Sequence, residues 1–376
     1  MNRVIFTVTN DVFTDQRVNK MAQTLNSMGL EPVIAGVKRK DSPPFKPEWA
    51  EIKRIPLLFH KGFLFYAEFN LRLFLYLLFA KAELIVANDL DTLLPAHLAA
   101  KIRRKPLVYD THEYFTGSPE VAHRPFRRWF WKSLERLLFP RQKTIITVNQ
   151  SIAQLYEKEF GKKLQVVRNM PRYRQADQSI SRKELGLPDG KHIILLQGSG
   201  INVDRGTEEL IMTMLPEHGI ENALLLIIGS GNVIGQLKKQ VTGANLGDRV
   251  WFLPKMPYEQ LMQYTSVATI GVSLDKPDSL NYMFSLPNKL FDYIMAGAPV
   301  LVSDLPELRK IVEKYQVGKI SENHNPVQIA RCIKEMLKDP DQLSRWRSNC
   351  LEAAKELNWE KEEDVIRWIY TDFLHK

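Results

Sequence analysis

The chain has 376 residues, 44% of them hydrophobic, which is more than one ordinary core needs and suits two α/β domains, while a disordered or fibrous chain is excluded. Lys and Arg number 52 against 43 Asp and Glu, and the resulting +9 favours anionic partners such as nucleotides, lipid head groups or nucleic acid without choosing among them.

The first apolar run, in "MNRVIFTVTND", stops at Asn10 and Asp11, so a first β-strand is expected there rather than a signal peptide. Cys332 and Cys350 lie in one late helical region without metal-ligand spacing; neither a disulfide nor a zinc site is expected, and a reducing cytoplasm fits. From the start, the β-rich runs "VIFTV", "PVIAG", "ELIVAN", "PLVYD", "TIITV" and "QVV" alternate with helical patterns, the rhythm of βαβ units around a parallel sheet.

Within this half, "FLFYAEFNLRLFLYLLFAKAELIV" (63–86) is interrupted by Glu68, Asn70 and Arg72, and its unbroken run Leu73 to Ala80 is shorter than the roughly 20 residues of a bilayer span. A buried helix feeding a strand at Leu84 to Ala87 is therefore expected. Further on, "HRPFRRWFWKSLERLLFPRQK" (123–143) is basic and aromatic, with apolar residues at Phe126, Phe130, Leu134, Leu137 and Leu138. Such a helix suits a lipid interface, and it equally suits core packing with a solvated basic face.

The polar segment "RNMPRYRQADQSISRKELGLPDGK" (168–191) breaks the rhythm and reads as a linker plus a short helix. A second parallel sheet is then expected from "HIILLQG", "ALLLIIG", "RVWFLP", "VATIGVS", "PVLVSD" and "VGKIS". From Asn325 the pattern is helical. The expected division is an N-terminal domain 1–168, a linker 169–191, a C-terminal domain 192–355, and a final helix 356–376 that packs back on the N-terminal domain.

In open parallel sheets ligands bind at the carboxyl ends of strands, which singles out "GSGINVDRG" (198–206) and "GSGNVIG" (229–235). Gly198, Gly200, Gly229 and Gly231, with Ser199, let backbone N–H groups approach an anion, and Arg205, or Lys289 across a cleft, neutralises a diphosphate. In "SLPNKLFDYIMAGAPVLVSD" (285–304), Lys289 and Asp292 stand on the first turns of an otherwise apolar helix. "GSGNVIG" with Asp248 is close to a dinucleotide fingerprint, but Asp248 precedes its strand and Gly235 falls one place late, which disfavours NAD. In "DLD", Asp91 stands where an N-cap is expected before "TLLPAHLAAKI", so capping is preferred to metal binding. His112 and Glu113, in "LVYDTHEYF", lie just past a strand end, where a histidine is structural as often as functional.

"KLFDYIMAGAPVLVSDLPEL", Arg205-Gly206, "LLLIIGSG", "RVWFLPKMPYEQLMQY" and "VYDTHE", in this order and spacing, resemble the nucleotide-sugar glycosyltransferases of family 4. The resemblance implies the GT-B fold, α/β with two Rossmann-like parallel-sheet domains facing across a cleft. It also implies a retaining transferase with a nucleoside diphosphate sugar, UDP- or GDP-linked, as donor, a glycan or lipid-linked acceptor, no metal, no further cofactor and no nucleic acid. Asp292 matches the second acid of the family's Glu-x7-Glu motif, which holds ribose hydroxyls; Arg205 matches the diphosphate-binding cation before Gly206, and His112 the histidine near the transferred sugar.

The sequence also departs from that pattern. The first acid of the motif is Phe284, so Asn288 and Lys289 become the candidates for sugar recognition, and Ser199 or Gly200 replaces the family's Arg. "TNDVFTDQRV" stands where paired glycines belong, with Asp15 and Arg17 as acceptor-side candidates and a first-turn surface residue the plain alternative for Arg17. The implied setting is envelope polysaccharide synthesis, in the cytoplasm and peripheral to the cytoplasmic face of the membrane through 123–143. A GT-B sugar-nucleotide epimerase and a non-enzymatic basic binding protein for RNA or membrane are the alternatives.

Overall fold

The computed structural model describes residues 2–40, 42–175 and 180–374; residues 176–179 of the expected linker and 375–376 of the tail lie outside the described residues. The chain divides into unit 1, Met1–Asn169 with Glu362–Lys376, and unit 2, Met170–Lys361.

Unit 1 begins with β1 (Arg3–Thr7), α1 (Gln16–Ser27), β2 (Glu31–Lys38), β3 (Glu51–Pro56), α2 (Gly62–Phe79), β4 (Leu84–Asn88) and α3 (Leu90–Arg103). It continues with β5 (Leu107–Thr111), α4 (Pro119–Ala122), α5 (Pro125–Leu138), β6 (Thr144–Thr147), α6 (Gln150–Phe160) and β7 (Gln165–Val166). The strands form one sheet in the order β3-β2-β1-β4-β5-β6-β7, parallel at every pairing. Local chemistry sets the helix starts: Asp15 accepts the N–H of Val18 at 3.0 Å at the head of α1, and Asn149 accepts that of Ile152 at 2.8 Å at the head of α6.

Unit 2 opens with β8 (His192–Gly198), α7 (Thr207–Met212), β9 (Ala223–Gly229), α8 (Ile234–Gly243), β10 (Val250–Leu253) and α9 (Tyr258–Ser266). Then come β11 (Ile270–Ser273), α10 (Leu280–Met283), α11 (Asn288–Met295), β12 (Val300–Ser303), α12 (Pro306–Tyr315) and β13 (Gly318–Ser321). The chain ends in α13 (Pro326–Leu337), α14 (Pro340–Ala354) and α15 (Trp359–Leu374). Its sheet, β10-β9-β8-β11-β12-β13, is again parallel throughout, and the near-complete burial of β8, β9, β11 and β12 follows from helices on both faces. Cys332 and Cys350 are free and buried in α13 and α14.

Two local expectations fail. The short helix expected in the 168–191 segment is a run of turns at 182–186: Gly186 adopts φ +68°, and Pro188 disfavours helix at Leu187. The other failure concerns α2, which is not the buried helix the sequence suggests. Phe69, Leu73 and Leu77 are fully buried, but Phe63, Leu71, Leu75 and Phe79 are exposed, Phe79 by 84%. Apart from Glu68, Asn70 and Arg72 the helix is apolar, with apolar residues on the buried and the exposed side alike, so periodicity could not tell a core face from a surface face. Its 18 residues are also long and apolar enough, by length and composition, to cross a membrane, a measure missed when only the unbroken run is counted.

Candidate active site

The strand order of unit 2 reverses direction between β8 and β11, and in doubly wound sheets the crevice outside the carboxyl ends of such a pair is where ligands bind. Two side chains expected to bind phosphate meet there. Gly206 follows Arg205 at φ +69°, and a Cβ on it would overlap the carbonyl oxygen of Leu274, so only glycine lets this loop lie against the end of β11. The approach brings Arg205 Nη1 to 2.8 Å from Oδ1 of Asp275 and its guanidinium over the Tyr282 ring, 4.2 Å from the centroid.

Lys289, on the first turn of α11, reaches the other oxygen of the same carboxylate, Nζ to Oδ2 at 3.7 Å, and the Ser273 hydroxyl donates to that oxygen at 3.2 Å. Lys289 therefore does not act from across a cleft: it shares one unit and one carboxylate with Arg205. Asp275 is fully buried; burial alone would raise its pKa, but Lys289 and Arg205 hold it below the usual carboxylate range. Lys289 is itself pushed below the ordinary lysine value, by burial first and then by Arg205. The cluster carries two cations against one anion, and Arg205 Nε is buried without a hydrogen-bond partner among the described residues.

Asp292 lies one turn further along α11. Its Oδ1 accepts the Tyr258 hydroxyl at 2.8 Å, and its Oδ2 faces Gln197 Nε2 at 3.4 Å. Gln197 immediately precedes Gly198, the last residue of β8, so Asp292 stands at the carboxyl end of that strand. Asn288 is exposed at the start of the same helix.

The two glycine loops divide by role. Gly198 pairs with Gly229 across β8 and β9; Ser230 N–H donates to the Gly198 carbonyl at 3.1 Å, and Ile201 N–H to that of Ser230 at 3.0 Å. A Cβ on Gly229 would overlap the Gly198 carbonyl, and one on Gly231 the Ile201 carbonyl, so these two glycines exist to let the loops cross. By contrast, a Cβ on Gly198 or Gly200 would meet no atom closer than 3.9 Å. The open backbone beside Ser199 is thus the part a ligand can approach.

In unit 1 the reversal falls between β1 and β4, and His112 sits near it, just after β5. Its backbone N–H donates to Asp89 Oδ1 at 2.8 Å; its ring lies 3.5 Å from Asp89 Oδ2 through Nδ1 and 3.6 Å from Asp110 Oδ2 through Nε2. Burial alone would lower its pKa, but Asp89 and Asp110 outweigh it and raise the value to about 9, so the ring is an imidazolium at neutral pH. Asp89 holds φ at +61°, a strained value for a side-chain-bearing residue.

Arg17 is not a surface residue. It is 3% exposed and grips both oxygens of Asp110, at 3.0 and 2.8 Å, while Nη1 donates to the Val167 carbonyl at 2.6 Å. Nor is Asp91 an N-cap: it lies inside the first turn of α3, its Oδ2 accepts the Thr9 hydroxyl at 2.6 Å, and burial followed by Asp89 raises its pKa to about 7. Asp15 caps α1 and takes a hydrogen bond from Asn10 at 2.9 Å. Among the described residues no group of three His, Cys, Asp or Glu side chains is placed to hold a metal ion.

Asp275, Gln197, Tyr258 and Tyr282 escaped the sequence reading. Asp275 had a signal: it stands two residues beyond the strand in "VATIGVSLD", where the strand-end rule directs attention. Tyr258 and Tyr282 are recognisable only through the helices α9 and α10 that carry them to the same end of the sheet, and Gln197 reads as one more residue of the β8 run "HIILLQG".

Residues 15–170 match the model of Glycosyltransferase Family 4, and residues 177–353 match that of Glycosyl transferases group 1. The chain belongs to the family 4 glycosyltransferases. Within the family, D-inositol 3-phosphate glycosyltransferase 1 of Catenulispora acidiphila is 23% identical over 208 residues, 53% of this chain and 48% of that protein. Chitobiosyldiphosphodolichol beta-mannosyltransferase of Candida albicans is 23% identical over 247 residues, 61% and 54% of the two chains. The chain spans about half the length of the curated relatives it matches.

Solved structures of the GT-B fold are similar over the whole length. Sucrose-phosphate synthase from Thermosynechococcus elongatus superposes with a TM-score of 0.80 at 17% identity, covering 100% of both chains. HepE of Anabaena, solved with UDP-glucose, gives 0.77 at 15% identity over 98% of this chain and 99% of its own. At such identities the likeness establishes the fold, two Rossmann-like parallel-sheet domains.

Proposed function

We propose that this protein transfers a sugar, with retention of anomeric configuration, from a nucleoside diphosphate sugar carrying UDP or GDP to a glycan or lipid-linked acceptor, in envelope polysaccharide synthesis. The observation that carries the reading is the pair Arg205 and Lys289, drawn together on the buried Asp275 at the β8–β11 strand ends. As the sugar-phosphate bond breaks, the leaving diphosphate gathers negative charge, and preorganised cations stabilise it without reorganising. Arg205 Nε, buried without a hydrogen-bond partner among the described residues, is a donor left for such an anion. The open backbone of Gly198, Ser199 and Gly200 supplies further N–H groups, and Gly229 and Gly231 shape the loop beside them.

Asp292 accepts the ribose hydroxyls while Tyr258 and Gln197 orient its carboxylate. Asn288 contacts the sugar from the exposed start of α11. His112, held as an imidazolium by Asp89 and Asp110, donates to the transferred sugar or the phosphate. Protein cations take the role a metal would otherwise have, so no further cofactor enters. Attack on the face the diphosphate leaves gives retention without a pair of catalytic carboxylates. HepE's solved complex with UDP-glucose supports the donor class.

The test is a product assay with UDP- and GDP-sugars and a panel of glycan and lipid-linked acceptors. Acceptor-dependent release of nucleoside diphosphate, with the new linkage retaining configuration by NMR, supports the reading. Donor that is isomerised without nucleotide release identifies an epimerase instead.

A further inference from the structure

We propose that unit 1 docks on an anionic bilayer through the outer face of α2 together with α5, both lying in the plane of the interface. The α2 stripe at Phe63, Leu71, Leu75 and Phe79 is 68%, 60%, 47% and 84% exposed. This is a large apolar surface for a domain to leave to water.

The helix does not cross the membrane: Phe69, Leu73 and Leu77 on its other side are fully buried, and Asn70 Nδ2 donates to the Asp91 carbonyl at 3.1 Å, which fastens it to the domain. Only the outer stripe is free to enter lipid. The two charges on α2 neutralise each other, Arg72 to Glu68 at 2.8 Å, and Glu68 also accepts the N–H groups of Leu58 and Phe59 at 2.9 Å each, holding those two exposed apolar residues beside the helix.

The surface continues onto α5, where the Phe63 ring meets Phe130 edge-on with centroids 6.2 Å apart. Phe126 and Trp129, neighbours at 6.0 Å, stand 74% and 65% exposed. Arg124, Arg127 and Arg128 line the same stretch, exposed and without a carboxylate in ion-pair range among the described residues. The one acid of α5, Glu135, is buried and taken by Lys132 at 2.7 Å. Apolar and aromatic side chains flanked by unpaired arginines complement acyl chains beneath anionic head groups; a soluble protein partner would gain nothing from that excess of positive charge unless it were itself acidic. The surface belongs to unit 1 alone, so the inference stands or falls separately from the donor reading.

The full chain is to be floated with vesicles of phosphatidylglycerol and phosphatidylcholine, and with phosphatidylcholine alone. Binding to the anionic vesicles is expected. It should weaken at least tenfold in Leu71→Ser/Leu75→Ser/Phe79→Ser, whose thermal midpoint stays unchanged because the residues are exposed, and comparably in Arg127→Glu/Arg128→Glu. Lipids brominated in the acyl chain should quench a fluorescence component that disappears in Trp129→Phe. Absence of vesicle binding, binding indifferent to the apolar triple variant, or a dimer in ultracentrifugation that the triple variant dissolves would each overturn the proposal; the last would assign the face to a second copy of the chain.

Discussion

Arg205 and Asp275 form an ion pair at 2.8 Å in which the carboxylate is completely buried and Lys289 approaches its second oxygen. A single acid thus gathers two cations at the carboxyl end of the sheet, and it leaves them in excess of the charge that holds them. Asp275→Asn removes the anion and strands both cations in a poorly solvated place. Loss of one partner from a buried pair costs about 3–5 kcal/mol, so the variant should unfold at markedly lower denaturant, as followed by circular dichroism.

Arg205→Ala leaves Asp275 paired with Lys289 and tests catalysis more than folding. If the guanidinium stabilises charge that grows only as the diphosphate departs, kcat should fall by roughly a hundredfold or more with a smaller change in KM. A rise in KM alone would mean that Arg205 binds the ground state.

His112 gives unit 1 a signed dependence on pH. Its folded pKa, about 9, lies above its ordinary value of 6.5, so its contribution is complete below about 6.5 and is lost as pH rises through 9. Asp91, raised to about 7 from 3.8, contributes a loss of the same sign, but one completed by about pH 7. The thermal midpoint of wild type minus that of His112→Gln should therefore shrink between pH 7 and 9.5. A difference that stays flat would show that the ring is not held as an imidazolium.

These residues also show what a sequence carries. Most strands were legible because a parallel sheet covered on both faces demands unbroken apolar runs such as "ALLLIIG", and the glycine loops were legible because they follow those runs; the edge strand β3, "EIKRIP", has no such run and was missed. Arg205 and Lys289 were found as cations near strand ends, but their common partner was not, since residues 205, 275 and 289 are joined only by the crossing order of strands. The surface alternative for Arg17 fails for a related reason: its partner Asp110 lies 93 residues away, and no local pattern distinguishes a buried bidentate arginine from a first-turn surface residue. The exposure of α2 was hidden by composition, because its three polar residues, Glu68, Asn70 and Arg72, are too few to form a polar face that marks the outside.

Asp292 links nucleotide recognition to one carboxylate. With Tyr258 and Gln197 already orienting it, replacing Asp292 by Ala should weaken donor binding by about 1.5–3 kcal/mol, the range for hydrogen bonds to charged groups, at unchanged folding. Isothermal titration with the donor that wild type prefers gives the number, and an unchanged affinity removes Asp292 from the ribose role.

The most direct measurement is thermal stabilisation of the purified protein by UDP, GDP, ADP, CMP and NAD, each with and without magnesium. The predicted result is stabilisation by UDP or GDP that persists without magnesium and disappears in Asp292→Ala. Stabilisation by NAD alone, or by none of the five, would contradict a nucleoside diphosphate site at the ends of β8 and β11.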